Sequence, residues 1–371
     1  MNASFSMKRH VLLAMLDKVA AVLPSRDSVP ILRNYQVDVL EGGLKIAATD
    51  TFLTLLSNTV LVDVQSPGSL VLPGKAFGLC VKEAIGESVT VEARDDCVMV
   101  TSGAAEWQFP RLNEDEYPPL PDVSSLEFIQ LDRLAFLTAL SKVYPAASLD
   151  TSRPSLCVVD CNEGRMRASD GVRCAQVVLG DDLPLDIQIP SEAVGDLMRL
   201  LKSVDVDEIG AAVSSSHIAF TVGFDVFIAG KMMLPFPDID AMLIEPSAAN
   251  DKILACDREE LISAVRRVRI LASPESAAMS ITCSPDGRLV LESRDEFGGR
   301  ASEEISCEWE HDTYSAAVNH NYLYDLLSSV DAATCRFYFG VDTKTRKSSI
   351  LHRDEVTKSL AILSQMRADW L

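Results

Sequence analysis

The chain has 371 residues, a length typical of two or three domains, and its 47% hydrophobic and 24% charged residues are typical of a globular protein. It contains no run of about 18 apolar residues, so we expect no membrane-spanning helix. The formal net charge of −20 argues against tight, static binding of nucleic acid, which needs clustered Lys and Arg. A protein whose basic residues gather on one surface while acidic residues cover the rest stays possible.

The nine cysteines are scattered among apolar neighbours, a pattern typical of buried free thiols in a reducing compartment. Near the N-terminus the chain carries Lys8 and Arg9, but Asp17 and Lys18 interrupt the apolar run that follows. This pattern does not match a secretory signal peptide. We therefore expect a cytoplasmic protein.

The first third of the chain alternates between helix and strand patterns. Residues 8–23 carry apolar residues at the spacing of an amphipathic helix, which Pro24 ends, and a second such helix follows Pro73. The strand-like segments around these helices are Tyr35–Leu40, Leu44–Ala48, Val89–Ala93 and Cys97–Ser102. Residues 110–121 form a polar, proline-rich stretch, and a linker is predicted at about 118–126.

The same order of elements returns twice, and each of the six predicted helices has four apolar positions on one face. These positions are, in chain order, Leu12, Met15, Leu16 and Val19; Phe77, Cys80, Val81 and Ala84; Phe136, Ala139, Leu140 and Val143; Val194, Leu197, Met198 and Leu201; Leu261, Ala264, Val265 and Val268; Leu323, Leu326, Leu327 and Val330. A helix with one apolar face, flanked by strands, packs that face on a sheet. Each copy is therefore predicted to be a small α+β domain with two helices on one face of an antiparallel sheet.

A short strand-to-turn segment also occurs three times. Residues 165–173 read Arg-Met-Arg-Ala-Ser-Asp-Gly-Val-Arg, residues 44–53 are close to them, and residues 289–298 resemble them more loosely. The aspartates Asp50, Asp170 and Asp295 mark the three turns and are separated by the length of a small domain, about 100–150 residues. A solenoid repeat is shorter, about 20–50 residues. The sequence therefore predicts three copies of one domain.

Basic residues recur at matching positions beside the apolar faces of the helices. The first helix of each copy carries Lys18, Lys142 or Arg267, and the second carries Lys82, Arg199 or, in the third copy, Ser328. For any one of these residues a solvated helix face is the simpler interpretation. The agreement between copies favours a shared basic surface suited to loose, sequence-independent contact with a phosphate backbone.

At this point the sequence resembles the bacterial DNA polymerase III beta subunit family, the sliding clamps, over essentially the whole chain. The segments that carry the resemblance are Arg26–Leu32, Ala48–Asp50, Glu116–Pro118, Ala168–Arg173, Ile189–Leu201, Phe236–Leu243 and Leu254–Leu271. Each segment alone has low specificity. Their order, spacing and threefold repetition together are highly specific.

The resemblance implies an α+β fold of three repeated DNA-clamp domains, at residues 1–124, 125–248 and 249–371, that forms a head-to-tail ring dimer. It implies a processivity factor that encircles duplex DNA without sequence preference and has no catalytic activity, cofactor or metal. The implied partners are duplex DNA, a second copy of the chain, the replicative DNA polymerase, the clamp loader and repair polymerases. The proteins among them would bind through short peptide motifs in an apolar cleft, and no membrane is involved.

The resemblance also implies three sets of site residues. The peptide-binding cleft would comprise Leu156, Ser169, Gly171, Val172, Arg173, Cys174, Pro237, Met242, Ile362, Ser364, Met366 and Arg367. The DNA-binding residues would be Lys18, Arg26, Lys75, Lys82, Lys142, Arg153, Arg199, Lys202 and Arg267. The dimer interface would include Glu106 and Trp107 on one copy and Ile270, Leu271 and Arg300 on the other.

The chain departs from the family at several of these places. Its C-terminal stretch Ser364–Ala368 replaces the usual Met-Pro-Met-Arg-Leu, and Pro154 and Ser155 replace aromatic residues expected to contact DNA. These departures leave open a clamp-fold paralogue with altered client or drug binding, in a resistance or accessory role. An enzyme is the other alternative, but the chain lacks the common phosphate-loop, paired-histidine and nucleophile-elbow motifs.

Overall fold

The computed structural model describes residues 3–24, 29–180, 185–239, 252–341, 348–354 and 357–366. The elements of the first repeat are β1 Ser4–Lys8, α1 Arg9–Val19, β2 Asn34–Leu40, β3 Gly43–Thr49, β4 Leu53–Thr59, β5 Asp63–Ser66, β6 Gly68–Pro73, α2 Gly74–Glu83, β7 Ser88–Ala93, β8 Cys97–Ser102 and β9 Ala105–Pro110. Those of the second are β10 Ile129–Asp132, α3 Arg133–Val143, β11 Val158–Asn162, β12 Arg165–Ser169, β13 Arg173–Val178, β14 Ile187–Pro190, α4 Ser191–Lys202, β15 Glu208–Val213, β16 His217–Val222 and β17 Asp225–Gly230.

The elements of the third repeat are β18 Lys252–Asp257, α5 Arg258–Val268, β19 Ala278–Ser284, β20 Arg288–Arg294, β21 Arg300–Ser306, β22 Tyr314–Asn319, α6 His320–Ser329, β23 Thr334–Val341, β24 Ser348–Asp354 and β25 Ser359–Ser364. Each repeat runs strand, helix, four strands, helix, three strands, and the first repeat adds β5 between its fourth and fifth strands. The predicted order of two helices among antiparallel strands is therefore confirmed in all three copies.

Within the described residues the strands form four antiparallel sheets, two of eight strands and two that are smaller. The eight-stranded sheets have the orders β10-β15-β16-β17-β4-β3-β2-β6 and β14-β11-β12-β13-β25-β24-β23-β18. Each large sheet thus joins four strands of one repeat to four strands of the next. The smaller sheets have the orders β5-β1-β7-β8-β9 and β21-β20-β19-β22.

The chain divides into two compact units, and each unit contains one large sheet and one small sheet. One unit comprises Met1–Leu134 and Ala193–Lys231, and the other comprises Ala135–Glu192 and Met232–Leu371. The division follows the sheets, so strands of the second repeat belong to both units. The predicted domain boundaries at 124/125 and 248/249 stay a prediction.

The apolar faces of the helices are buried much as the sequence predicts. In α1, α3, α5 and α6 all four predicted positions are buried, including Val330 directly after α6. In the other two helices, Cys80 and Met198 are only half-buried. Within the described part of the chain, no helix is both long and apolar enough to cross a membrane.

The three repeated aspartates perform the same structural task. Each lies in the turn between the third and fourth strands of its repeat, and its Oδ1 accepts hydrogen bonds from two backbone N–H groups. The donors are Phe52 and Leu53 for Asp50, Val172 and Arg173 for Asp170, and Phe297 and Gly299 for Asp295, at 2.6–2.9 Å. Asx turns of this kind satisfy backbone donors where the strand ladder is interrupted.

A residue with positive φ follows each aspartate. In the second and third repeats it is a glycine, Gly171 at 87° and Gly298 at 90°, but in the first it is Thr51 at 81°. A β-branched residue in this region of the backbone is strained, at a cost of about 1–3 kcal/mol. Glycine adopts the same conformation freely.

We expect Thr51→Gly to raise the free energy of unfolding by about 1 kcal/mol, because the relief of backbone strain exceeds the entropic cost of a glycine. The Thr51 backbone N–H keeps its bond to Thr49 Oγ1 in this variant. Gly171→Ala is the matched reverse change and should lower the free energy of unfolding by a similar amount. Thermal or urea unfolding measures both, and a destabilised Thr51→Gly variant would contradict the argument.

Candidate functional site

The ladder between β13 and β25 forms the floor of the predicted cleft. Cys174 lies opposite Ile362, and Arg173 lies opposite Leu363. The Ser364 N–H extends the contact by donating to the Val172 carbonyl at 2.9 Å. The tertiary structure therefore brings the predicted turn at Ser169–Cys174 and the predicted C-terminal residues together, although they are far apart in sequence.

An apolar cluster covers this floor on one face. Its buried members are Cys174, Ile239, Leu351, Leu360 and Ile362, with Phe236 and Tyr338 packed against them. The cluster connects the segment 232–239, which contains the predicted cleft residue Pro237, to the β13–β25 ladder. An apolar floor of this kind suits the side chain of an apolar peptide anchor.

A buried polar network holds the segment 232–239 against the second repeat. The Gln188 side chain accepts from the Leu234 N–H at 3.0 Å and donates to the Leu234 carbonyl at 2.7 Å. Gln188 Nε2 also donates to Asp160 Oδ1 at 3.2 Å, and the buried Asp160 carboxylate binds the Arg167 guanidinium at 2.7 Å. Arg167 in turn lies over the Phe236 ring, 5.7 Å from its centroid. Every polar group in this chain of contacts has a partner.

The turn at Ser169–Cys174 presents its middle to solvent and fixes its ends. Ser169 is buried, and its Oγ donates to the Arg173 carbonyl at 2.8 Å, whereas Gly171 and Val172 are exposed. Leu156 lies next to the turn, since a Cβ at Gly171 would be 3.6 Å from its Cδ1. Exposed Val172 beside buried Leu156 and Cys174 gives the site an apolar rim as well as an apolar floor.

The Arg173 side chain is held by two carboxylates and an aromatic ring. Its Nε lies 3.0 Å from Asp170 Oδ2, and its Nη1 lies 2.7 Å from Asp325 Oδ2. The guanidinium carbon lies 3.9 Å from the centroid of the Tyr322 ring. These contacts compensate its charge and place the guanidinium on the side of the sheet that α6 covers.

The remaining predicted cleft residues lie in different places, and some are outside the described residues. Met366 is half-buried, and its N–H donates to the Ala317 carbonyl at 2.7 Å, so it lies beside β22 of the third repeat. Ser364 is half-buried at the end of β25. Met242 and Arg367 lie outside the described residues, and their place in the cleft stays a prediction.

Several residues of the site do not appear among the predicted ones. Ile239 and Phe236 lie in the Phe-Pro-Asp-Ile stretch that carried the resemblance, so a signal for them was present. Gln188 and Asp325 had no such signal, because their importance rests on contacts with Leu234 and Arg173 across long sequence separations.

Most of the predicted DNA-binding residues on the helices take part in ion pairs. Lys18 binds Asp225, Lys142 binds Asp331 and Arg199 binds Asp196, each at 2.7 Å, and Arg267 binds Glu303 through both carboxylate oxygens. The expectation that Lys142 lies on an outward, solvated helix face is wrong, because its residue is only 8% exposed. Its position faces the end of α6 in the folded chain, which the helix pattern alone could not reveal.

The other predicted basic residues are more accessible. Lys75, Lys82 and Lys202 are exposed on α2 and α4, and within the described residues they form no ion pair. Arg153 is exposed, and its Nη1 donates to the Asp170 carbonyl at 3.4 Å. Arg26 lies outside the described residues.

The two predicted interface surfaces lie on edge strands or next to them. Glu106 and Trp107 belong to β9, the edge of its sheet, and they are exposed and half-buried respectively. Arg300 begins β21, also an edge strand, and its Nη2 lies 2.6 Å from Glu292 Oε2. Ile270 and Leu271 lie in a short 3-10 helix after α5, and Ile270 is 76% exposed.

Glu292 occupies the space between two arginines. Arg300 and Arg294 each contact one of its oxygens, at 2.6 and 2.7 Å. Burial acts to raise the pKa of this carboxyl, but the two guanidinium groups together hold the pKa below its ordinary value. Arg300 therefore already has an acidic partner within its own sheet.

A metal site in the described residues would need several His, Cys, Asp or Glu side chains grouped together. Among the described residues, no three His, Cys, Asp or Glu side chains are grouped in a way that could hold a metal ion. Cys157 and Cys161, the closest pair of cysteines in sequence, are free thiols.

The fold defines a class of protein. The structure of the Caulobacter crescentus beta sliding clamp superposes with a TM-score of 0.88 at 23% identity, over 99% of each chain. That of a sliding clamp from Bartonella birtlesii, bound to griselimycin, superposes with a TM-score of 0.89 at 23% identity, over 99% of this chain and 100% of the other. The chain thus has the fold of the bacterial sliding clamps.

The family follows from the sequence comparisons. Models for the N-terminal and C-terminal domains of the DNA polymerase III beta subunit match residues 3–121 and 246–364, more than half of the chain together. The beta sliding clamp of Pseudomonas aeruginosa is 24% identical over 98% of this chain and 99% of its own length. The chain belongs to the DNA polymerase III beta subunit family.

We expect Gln188→Ala to loosen the segment 232–239, because the variant loses both hydrogen bonds to Leu234 and one to Asp160. A buried polar group left without its partner costs about 1–3 kcal/mol. Hydrogen exchange of the segment, followed by mass spectrometry, should therefore become faster by about tenfold or more. Gln130→Ala is the control, since it truncates an exposed glutamine of β10, and equal exchange in both variants would contradict the assigned role.

Proposed function

We propose that the chain acts as a DNA sliding clamp, in which two copies join head to tail into a ring around duplex DNA. The observation that carries the proposal is the pair of half sheets at β9 and β21. The large sheets pair the fourth strand of one repeat with the last strand of the next, as β4 with β17 and β13 with β25. By the same rule β21, the fourth strand of the third repeat, is expected to pair with the last strand of another repeat. β9 is the last strand of the first repeat.

The two half sheets have complementary strand orders. The order β1-β7-β8-β9 joined to β21-β20-β19-β22 repeats the order of both large sheets strand for strand. Edge strands expose unpaired N–H and C=O groups that favour pairing with another chain. A third large sheet between β9 of one copy and β21 of a second copy satisfies both edges.

The internal repeats predict the register of this contact. Leu53 lies opposite Ala229, and the equivalent Arg173 lies opposite Leu363. Gly299 is the third-repeat equivalent of Leu53, because its carbonyl accepts the Asp295 N–H as the Leu53 carbonyl accepts that of Asp50. Phe109 is the first-repeat equivalent of Ala229, by the pairing within each hairpin. Gly299 is therefore expected opposite Phe109.

In this proposed register the strand residues of the predicted interface would be neighbours. Trp107 comes opposite Ala301, Gln108 opposite Arg300 and Glu106 opposite Ser302. Glu106 and Arg300 are then diagonal neighbours on one face, although Arg300 also has Glu292 as a partner. The exposed apolar side chains of Ile270 and Leu271 near β21 are expected to contribute most of the contact, since exposed ion pairs contribute only about 0–1 kcal/mol.

Contact with DNA in this proposal is loose and independent of sequence. Lys75, Lys82 and Lys202 remain exposed on helices, while Lys18, Lys142 and Arg267 are compensated by acidic partners. Since several of the described helix cations are already paired, and the chain has a net charge of −20, contact with phosphate would release few counterions and hold DNA only weakly. A ring that must move along DNA is retained because it encircles the duplex, and tight binding to the phosphates would hinder its movement.

Client binding is assigned to the cleft between the turn at Ser169–Cys174, the segment 232–239 and β25. The replicative polymerase, the clamp loader and repair polymerases would insert apolar peptide anchors there, and the chain would act in the cytoplasm as a non-catalytic subunit. Neither the described residues nor the comparisons favour the alternative, a clamp-fold paralogue with altered client or drug binding.

We expect a mass near twice 40.4 kDa by light scattering, and a monomer for Ile270→Asp. A carboxylate in the apolar contact is costly to desolvate. The fold should survive, because Ile270 is 76% exposed within one copy. Phe224→Asp is the matched control, since Phe224 is 71% exposed and lies in the turn between β16 and β17, outside the strands of the proposed contact.

The same variants test the ring on DNA. Wild-type protein and Phe224→Asp should stay on nicked circular DNA after loading and leave linear DNA at its ends. Ile270→Asp should be lost from both. Equal retention of the wild type on circular and linear DNA would overturn the encircling function, while a monomeric wild type would overturn the proposed strand pairing.

We expect Val172→Asp to weaken binding of a fluorescent peptide with leucine and phenylalanine anchors by about tenfold or more, because it places a charge at the apolar rim. Fluorescence anisotropy measures the change. Val60→Asp is the control, since Val60 is likewise exposed but lies between β4 and β5. Equal affinity in the two variants would place the peptide elsewhere.

A further inference from the structure

A cavity of about 300 Å³ lies between α1 and the C-terminal part of α4. Its apolar wall consists of Ala14 and Ala21 on α1, Leu55 on β4 and Leu200 on α4. Its charged wall consists of Asp17, Lys18, Asp196 and Arg199, with Ser203 at one end. The cavity is unrelated to the peptide cleft, which lies in the other compact unit of the chain.

The charges in the wall favour a cation. Lys18 is neutralised by the buried Asp225, which also accepts from Ser57 Oγ at 2.6 Å. Arg199 pairs with Asp196, but its side chain is 61% exposed and can leave without being desolvated. Asp17 adds an exposed carboxylate that has no ion pair within the described residues.

Asp196 is the carboxylate best placed to bind a ligand. Its side chain is only 18% exposed. Burial is the largest influence and raises its pKa above the ordinary value, Arg199 acts in the opposite direction, and the charge of Asp50 adds a smaller upward contribution. A cation placed in the cavity would stabilise the ionised form of this carboxylate.

The second and third repeats contain the equivalent site. The repeats can be aligned on their helix faces and turn aspartates. In this alignment five residues of the cavity wall correspond to five residues that line a second pocket. Lys18, Ala21, Leu55, Asp196 and Leu200 correspond to Lys142, Pro145, Ala175, Asp325 and Ser329. The space at the second site is only about 20 Å³.

Two large side chains occupy space in the second site that is open in the α1–α4 cavity. Arg173 and Tyr322 line the second site, where the first repeat and α4 have Leu53 and Ala193 at the equivalent positions. Asp325 binds the Arg173 guanidinium at 2.7 Å, and the Tyr322 ring stacks on it at 3.9 Å. The carboxylate equivalent to Asp196 is therefore seen to bind a guanidinium in this same chain.

We propose that the α1–α4 cavity binds the arginine side chain of a partner protein, with its guanidinium on Asp196 and its aliphatic part on Leu55 and Leu200. A planar fork of N–H donors matches a carboxylate better than an ammonium does. Arg199 moves to solvent as the ligand enters. The proposal depends neither on the ring contact nor on DNA binding.

Benzamidine is the probe, because it joins a planar amidinium to an apolar ring and is small enough for the cavity. Ligand-observed NMR on the full chain should show binding below about 10 mM, as expected for so few heavy atoms. Benzamide, its neutral analogue, should bind at least about tenfold more weakly. Acetyl-arginine amide should displace benzamidine at lower concentration than acetyl-lysine amide does.

Two variants locate the site. Asp196→Asn removes the charge and should weaken benzamidine binding by about tenfold or more, while Asp95→Asn, at an exposed turn, should leave it unchanged. Ala21→Leu fills the apolar wall and should block binding with Asp196 intact, which covers the case of an unfolded Asp196→Asn. Undetectable binding, equal binding of benzamide, or unchanged binding in both cavity variants would overturn the proposal.

Discussion

Antiparallel pairing between successive repeats is the constraint on which the rest of this molecule depends. β4 pairs with β17 and β13 pairs with β25, so each repeat completes its sheet with strands of the next. Backbone N–H and C=O groups need partners wherever they are removed from water, and these two ladders supply them. The same ladders place Cys174 beside Ile362, which creates the floor of the cleft, and they leave β9 and β21 as edges.

The electrostatics follow a second pattern that the repeats share. Lys18, Lys142 and Arg267 occupy one position in the three first helices, and each has a carboxylate partner. The three ion pairs differ in how much they stabilise the fold, because breaking a pair that contains a buried charge costs far more free energy than breaking an exposed one. Lys142 is therefore a structural residue as well as a cation, whereas Arg267 can exchange Glu303 for another anion at little cost.

Divergence between the repeats changes the junction between helices where large side chains replace small ones. With Arg173 and Tyr322, the second site is closed by an ion pair and a stacked ring. With Leu53 and Ala193, the first site keeps the carboxylate and opens a cavity. The same arrangement of helices and strands therefore gives a filled pocket beside the cleft in one place and an open cavity with a carboxylate in the other.

Local patterns in the sequence determined the elements and their threefold order. The stripe of Leu12, Met15, Leu16 and Val19 predicts a helix packed on a sheet because its period is that of a helix. The turn at Asp170-Gly171 is predictable because aspartate and glycine have specific turn chemistry. The resemblance, also read from sequence, predicts that Cys174 and Ile362 belong to one site.

Only the tertiary structure decided which distant residues meet. The burial of Lys142, the hold of Gln188 on Leu234 and the pairing of Arg173 with Asp325 join residues that no local period relates. Sequence periodicity predicts which face of a helix or strand is buried, because that face is made by residues close together in the sequence. Partners of polar side chains depend instead on the register between repeats, which the strand ladders set when the whole chain folds.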